Sequence, residues 1–138
     1  MWVCAEAREA ELEDALNACG GVPGVRDIRA PEIGLVMLRG RIGGDGAPFN
    51  VGEATVTRAV VALDDGTMGY AYLLGRSLQR ARLAAIVDAL GQHAEHRATL
   101  DTVLVAPVRS RHDAALSLCR EQSAATRVNF FTLVRGED

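Results

Sequence analysis

The residues with the clearest chemical potential lie in one segment, Arg39 to Arg58, which reads RGRIGGDGAPFNVGEATVTR. Arg39 and Arg41 are two positions apart, so an extended chain places both guanidinium groups on one face. All 15 basic residues of the chain are arginine, whose planar and permanently charged group suits phosphate, phosphonate or carboxylate. Two guanidinium groups on one face repel each other, so this spacing predicts an anion between them. Pairing with Glu32, Glu53 or another carboxylate explains the pattern as well as an anionic ligand or a partner's acidic residue does.

Arg58 stands among apolar residues in a second predicted strand, because Val56 and Val60 share its face. A guanidinium in such surroundings predicts a buried ion pair or a subunit interface. We therefore expect residues 39–58 to lie at a surface that is incomplete in the isolated chain, with a carboxylate from elsewhere near Arg58.

Glycine is concentrated in the same region, where six of the 14 glycines lie between Gly34 and Gly52. A phosphate-binding P-loop requires lysine, which the chain lacks. Gly44-Asp45-Gly46 begins a dinucleotide fingerprint, but Phe49 stands at the third glycine position and no βαβ pattern surrounds it. The glycines favour a tight hairpin or a bulge, and a loop that contacts substrate or partner is the alternative.

Residues for metal binding or nucleophilic catalysis are present without the required spacing. His93 and His96 are three positions apart, but no third ligand is suitably spaced, so no metal site is predicted. Cys4, Cys19 and Cys119 form an odd set without a Cys-x-x-Cys pair, which is typical of a reducing cytoplasm. No serine elbow or Cys-His pair appears, so the sequence predicts no catalytic residue.

Composition limits the class of protein. The 138 residues, 49% hydrophobic and 24% charged, predict one globular domain over residues 1–138. A formal net charge of −3 argues against a nucleic-acid partner. No apolar run approaches the ~20 residues that span a bilayer and no signal peptide is evident, so we expect a cytoplasmic protein. Aromatic residues are only 4%, so the core must depend on Ala, Val and Leu, and partner chains would add buried area.

The spacing of apolar residues predicts an α+β fold with a mainly antiparallel sheet, because the strands follow one another without intervening helices. Asp64-Asp65-Gly66 predicts a hairpin turn, and Pro107 a kink or a new helix start. The predicted elements are a helix over residues 3–19, strands within residues 25–74, a helix capped by Ser77, helical segments over residues 100–119 and a final strand from Arg127 to Val134.

The predicted final strand carries two of the three phenylalanines, Phe130 and Phe131. Adjacent strand residues point to opposite faces, so the two rings cannot enter the same one-sided core. Phe131 is flanked by Arg127 and Arg135, an arrangement typical of an interface with an apolar centre and a cationic rim. If helices cover both faces, both rings are internal instead.

Longer motifs resemble a known family. The segment IRAPEIGLVMLRGRIGGDGAPFNVGEATVTR, the later GYAYLLGR and the terminal ATRVNFFTLVRGED are similar to the G subunits of the bacterial carbon–phosphorus lyase system. The resemblance covers nearly the whole chain. It implies a subunit of the machinery that degrades phosphonates, working with the H, I and J subunits and an ATP-binding-cassette protein.

The resemblance also implies a reaction, in which methylphosphonate displaces adenine from MgATP to give α-D-ribose 1-methylphosphonate 5-triphosphate. The I subunit would hold the nucleosidase chemistry and the J subunit an iron–sulfur radical step. This chain would then be a non-autonomous enzyme subunit with no cofactor of its own, and MgATP would be a substrate of the complex. The alternatives are a structural adaptor without substrate contact and a free-standing, anion-binding regulatory domain.

Overall fold

The computed structural model describes residues 2–22, 24–43 and 45–126, and these residues confirm the α+β class. The predicted final strand, with Arg127, Phe131 and Arg135, lies outside them. The elements are α1 (Trp2–Glu6), α2 (Glu9–Ala18), β1 (Val25–Gly40), β2 (Phe49–Leu63), β3 (Met68–Leu74), α3 (Leu78–Leu90), α4 (Ala94–Leu100), a π-helical turn (Asp101–Val105) and α5 (Ala106–Ala125). None of the described helices is long and apolar enough to cross a bilayer.

The N-terminal region is a pair of short helices, so the prediction of one helix over residues 3–19 was wrong. Arg8 has an extended backbone, with φ −78° and ψ 159°, and separates α1 from α2. Its backbone N–H donates to the Glu11 side chain at 2.7 Å, which satisfies a donor at the start of α2. The break allows both helices to reach the core, because Cys4 of α1 and Leu12 of α2 are buried.

The sheet has the order β1-β2-β3 and is antiparallel throughout, as the sequence predicted. The hairpin turn between β2 and β3 is confirmed. Gly66 adopts φ +88°, a conformation that favours glycine, and the Asp65 carboxylate accepts the backbone N–H of Thr67 at 2.9 Å. Pro31 lies in β1, an edge strand, where the missing N–H of proline is tolerated.

Helix α3 covers one face of the sheet with small side chains. Ser77 caps its N-terminus by accepting the backbone N–H of Arg80 at 3.2 Å, as predicted. Ala85 and Ala89 are fully buried and lie so close to β3 that Gly69 has no room for a Cβ atom. The Ala-rich core expected from composition is therefore present, and it depends on this close approach of helix and strand.

Beyond the helix-covered part, β1 and β2 continue as a hairpin of two strands, which we call the β arm (residues 35–40 and 49–55). Strand β3 pairs with β2 only from Val56 to Ala62, so the arm strands pair only with each other. The arm exposes much apolar surface, with Leu35 64% and Val51 61% exposed.

The C-terminal half of the described chain is helical, as predicted. Pro107 lies in the first turn of α5, directly after the π-helical turn, and the backbone stays helical from α4 through this turn into α5. Val108 is buried, but α5 is exposed from Asp113 onward. The last half of this helix therefore lies outside the core that the described residues form.

Candidate functional site

The sheet has two unlike faces. Thr57, Ala59 and Val61 of β2 are buried under the helices, and the hydroxyl of Thr57 donates to the backbone oxygen of Gly75 at 2.7 Å. Alternate residues of all three strands form the other side, which we call the open face. Strand pairing brings together on it Arg26, Arg29, Glu32, Val56, Arg58, Val60, Ala62, Met68, Tyr70, Tyr72 and Leu74.

An ion-pair network occupies the centre of the open face. The Glu32 Oε1 atom accepts Nε of Arg58 at 2.7 Å and a terminal N–H of Arg29 at 3.0 Å. The hydrogen bond from Arg58 is the main cause that holds the pKa of Glu32 below its ordinary value. The carboxylate near Arg58 therefore comes from the same chain. The side chains of Arg58 and Glu32 are 51% and 45% exposed, so in the isolated chain the pair is not buried.

Two tyrosines lie next to this network. Tyr72 is directly opposite Arg58, and Tyr70 is opposite Val60. Together with Arg29 these residues line a shallow cleft of about 310 Å³. Tyrosine and arginine are the residue types that most often anchor protein interfaces, so the arrangement suits binding of another macromolecule.

The tip of the β arm carries Arg39 and Arg41. They border an open cleft of about 540 Å³ with Gly40 and Pro48, and Arg41 donates to the backbone oxygen of Gly46 at 3.2 Å. Neither guanidinium forms an ion pair within the described part of the chain. These two arginines are thus free to bind an anion from outside the chain.

Glu53 was a candidate partner for these arginines. It is opposite Met37 in the strand register, on the arm face that also holds Arg39, whose own cross-strand neighbour is Asn50. The structure therefore places Glu53 on the predicted face without bringing it into contact with either guanidinium. Glu32, the other candidate partner, pairs with Arg58 and Arg29 instead.

A third cleft, of about 380 Å³, lies where α1 meets the end of α3 and the π-helical turn. Its apolar lining includes Cys4, Leu100 and Leu104, and Arg97 and Arg109 stand at its border. Burial raises the pKa of the Cys4 thiol, which keeps it protonated and poorly nucleophilic at neutral pH. The Cys4 thiol is therefore not a nucleophile for chemistry in this cleft.

His93 connects the segment after α3 to the β2–β3 turn. The Nε2 atom of His93 lies 3.1 Å from the Thr67 hydroxyl and 3.2 Å from the Asp65 carboxylate. The imidazole ring of His96 lies near that of His93, with the two ring centroids 6.2 Å apart. Among residues 2–22, 24–43 and 45–126, no group of three or more His, Cys, Asp or Glu side chains is placed to hold a metal ion.

Sequence reasoning missed the tyrosine side of the open face. The signal was present, because alternation along β3 places Met68, Tyr70, Tyr72 and Leu74 on one side and Gly69, Ala71 and Leu73 on the other. Reading β3 together with β2 would have combined Arg58 with Tyr72. The position of Arg29 beside them depends on irregular pairing in β1, which no periodicity reveals.

A sheet face that the described helices leave open, an apolar arm and an exposed helix end are typical of a subunit of a larger assembly. Comparison with known proteins agrees with this class. The chain belongs to the family described as phosphonate metabolism protein PhnG, which it matches over residues 1–136. It is 53% identical, over all of its 138 residues and 88% of the relative, to the alpha-D-ribose 1-methylphosphonate 5-triphosphate synthase subunit PhnG of Rhizobium meliloti (strain 1021).

Proposed function

We propose that this chain is a non-autonomous subunit of a cytoplasmic synthase that makes α-D-ribose 1-methylphosphonate 5-triphosphate from MgATP and methylphosphonate. The similarity to a subunit of that synthase supports the reaction class. The observation that carries the subunit role is the β arm, because none of the described elements covers its apolar side chains and a partner chain would bury them. Its expected partners are the H, I and J subunits and an associated ATP-binding-cassette protein.

Both faces of the β arm need covering. Leu35 and Met37 lie on one face and Leu38 on the other, and each is 45–64% exposed. Burial of apolar surface yields roughly 25 cal/mol per Å², so an arm enclosed on both sides contributes more binding free energy than a flat patch of the same length. We propose that the arm inserts between or into partner subunits.

The arm also places Arg39 and Arg41 at its tip. If the arm enters the assembly, these guanidinium groups enter with it. Arginine forks suit the oxyanions of a triphosphate or a phosphonate, and they suit a partner's carboxylate equally. The first case makes this chain a contributor to substrate binding, and the second makes it an adaptor.

One set of measurements tests the subunit role and separates these two cases. We expect the purified chain alone to release no adenine from MgATP and methylphosphonate, and the assembly with its partners to do so. Adenine release by the chain alone, surviving further purification, would contradict the proposal. In the assembly, Arg39→Ala with Arg41→Ala should leave co-purification intact and reduce turnover if the tip contacts substrate. Failed co-purification would favour the adaptor. Arg76→Ala is a matched control, because Arg76 is an exposed arginine after β3.

A further inference from the structure

The open face has a charge opposite in sign to that of the whole chain. Arg26, Arg29 and Arg58 lie on it, and Glu32 is the one acidic residue that the described strand residues contribute. The complete chain has a formal net charge of −3. Charge complementarity across an interface favours partners of the opposite sign, so this face favours an acidic surface.

The acidic residues at neighbouring strand positions do not reduce the surplus of positive charge on the open face. Asp27 is opposite Val61 and therefore lies on the helix-covered side of the sheet. Its carboxylate pairs there with Nε of Arg82 at 3.0 Å. Glu53 lies on the arm, opposite Met37.

Glu32 leaves most of the donors of its two arginines unused. Both arginines bond to the same oxygen, Oε1, and each does so through a single nitrogen, Nε of Arg58 and a terminal nitrogen of Arg29. A guanidinium has five N–H donors in a planar fork. The network can therefore accept a second carboxylate without losing the first.

The same network is poorly suited to a free phosphate-like ion. The Glu32 carboxylate already lies within 3.0 Å of both guanidinium groups and would repel a multiply charged anion. The flanking rings of Tyr70 and Tyr72, 45% and 49% exposed, offer apolar area that a small ion would not use. A protein surface uses the charge and the rings together.

Next to Tyr70 and Tyr72 the face is more accessible than the free edge of β3, because that edge is largely closed. The backbone N–H of Tyr70 donates to the Asp88 carboxylate at 3.1 Å, and the Met68 oxygen accepts from the Gln92 side chain at 2.7 Å. At the far end, Arg80 donates to the Leu74 oxygen at 3.0 Å. Side chains of α3 and its C-terminal end thus occupy positions that an added strand would need.

We propose that an acidic surface of another synthase subunit docks on the open face, with its carboxylate bound by Arg29 and Arg58 and its apolar side chains packed on Tyr70 and Tyr72. This inference rests on the proposed function. It names a second contact region besides the β arm, and it states the chemistry of the surface that this region binds.

Two substitutions with opposite expected effects test it. The full chain is titrated onto the co-expressed remaining subunits, and Kd is measured by biolayer interferometry between 50 and 500 mM NaCl, roughly the range over which exposed charges become screened. Arg58→Glu should weaken binding about tenfold or more and flatten its salt dependence. Glu32→Gln should strengthen binding, because it frees both arginines for the partner. A purely internal role for the pair predicts no gain from Glu32→Gln.

Tyr72→Ala and Tyr72→Phe test the aromatic part. Tyr72→Ala should weaken binding about tenfold or more, and Tyr72→Phe should retain most of it, because the ring provides the contact. Circular dichroism and thermal melting of each variant alone confirm that it folds. If Arg58→Glu does not fold, Glu32→Gln and the Tyr72 pair still decide the question.

The possible outcomes separate this inference from the proposed function. Failure of the unsubstituted chain to bind its partners contradicts both. Normal binding by Arg58→Glu and Tyr72→Ala at every salt concentration contradicts only the docking of an acidic surface here. If the chain alone forms a dimer that Arg58→Glu dissociates, a second copy occupies the face and the inference is wrong.

Discussion

Gly69 lies at a point of very close packing between β3 and α3. A Cβ atom at this position would overlap with the backbone oxygen of Ala85 and would lie 2.8 Å from the Cβ atom of Ala89. The backbones of strand β3 and helix α3 are therefore in direct contact at this point. The alanines that line α3 permit this approach, and a core with few aromatic side chains gains its packing density in this way.

We expect Gly69→Ala to lower the free energy of unfolding by about 1–3 kcal/mol, because helix and strand must separate to admit one methyl group. Chemical denaturation of the purified chain measures the change. Gly34→Ala is the matched control, since nothing lies within 4 Å of a Cβ atom there. Equal stability of the two variants would show that α3 moves without cost.

At the scale of elements, one side chain ties the start of α5 to the N-terminal helices. Arg111 donates to both carboxylate oxygens of Glu11, at 3.3 and 2.9 Å, and to the backbone oxygen of Glu6 at 3.0 Å. Partial burial acts to raise the pKa of Glu11. The hydrogen bonds from the Arg8 backbone and from Arg111 outweigh it, and the pKa lies below its ordinary value.

This geometry predicts a pH-dependent contribution to stability. A carboxyl group with a depressed folded-state pKa stabilises the fold above its unfolded pKa of about 4.3, and the contribution is lost as the pH falls through the folded-state value. Glu11→Gln should therefore lower stability by about 1 kcal/mol at pH 7, and the difference should shrink once the pH falls below about 4.3 and vanish below the folded-state pKa. Melting curves of both proteins from pH 7 to pH 3 measure this difference. Glu121→Gln, on the exposed part of α5, should show no difference at either end of the range. A Glu11→Gln difference independent of pH would exclude the ion pair as its cause.

At the scale of the whole molecule, the open face and the β arm form one continuous surface that the described helices do not cover. The β arm extends the sheet beyond its helix-covered part, and its face with Val36 and Leu38 continues the open face. The arm keeps its two-stranded pairing but has no core. Such an element is stable in the isolated chain only through its own hydrogen bonds and gains most from enclosure by partners.

We expect Leu35→Glu and Leu38→Glu, on opposite faces of the arm, each to abolish incorporation into the complex. The melting temperature of the isolated chain should change little, because both side chains are already exposed. Size-exclusion chromatography of the co-expressed subunits measures incorporation. Val22→Glu is the control, since Val22 is an apolar residue of similar exposure outside the arm. Incorporation of both arm variants would mean that the arm is not an interface.

Local pattern was sufficient for much of the fold. The sequence predicted the hairpin at Gly66, the Ser77 cap and the helical stretch after residue 100, because turn residues, caps and apolar periodicity act within a few positions. It failed at Arg8, where the apolar period continues through a break. There the requirement that two short helices each reach the core outweighs local preference for one helix.

For the site, the sequence by itself determined which residues could bind anions and that no recognisable catalytic set accompanies them. It identified Arg58 as out of place among valines. Only the tertiary structure decided its partner, since Glu32 is 26 positions away and reaches it through an irregular pairing of β1 with β2. The structure also decided which face of the sheet α3 covers. Alternation along a strand separates two faces, but which face is covered depends on where the rest of the chain packs.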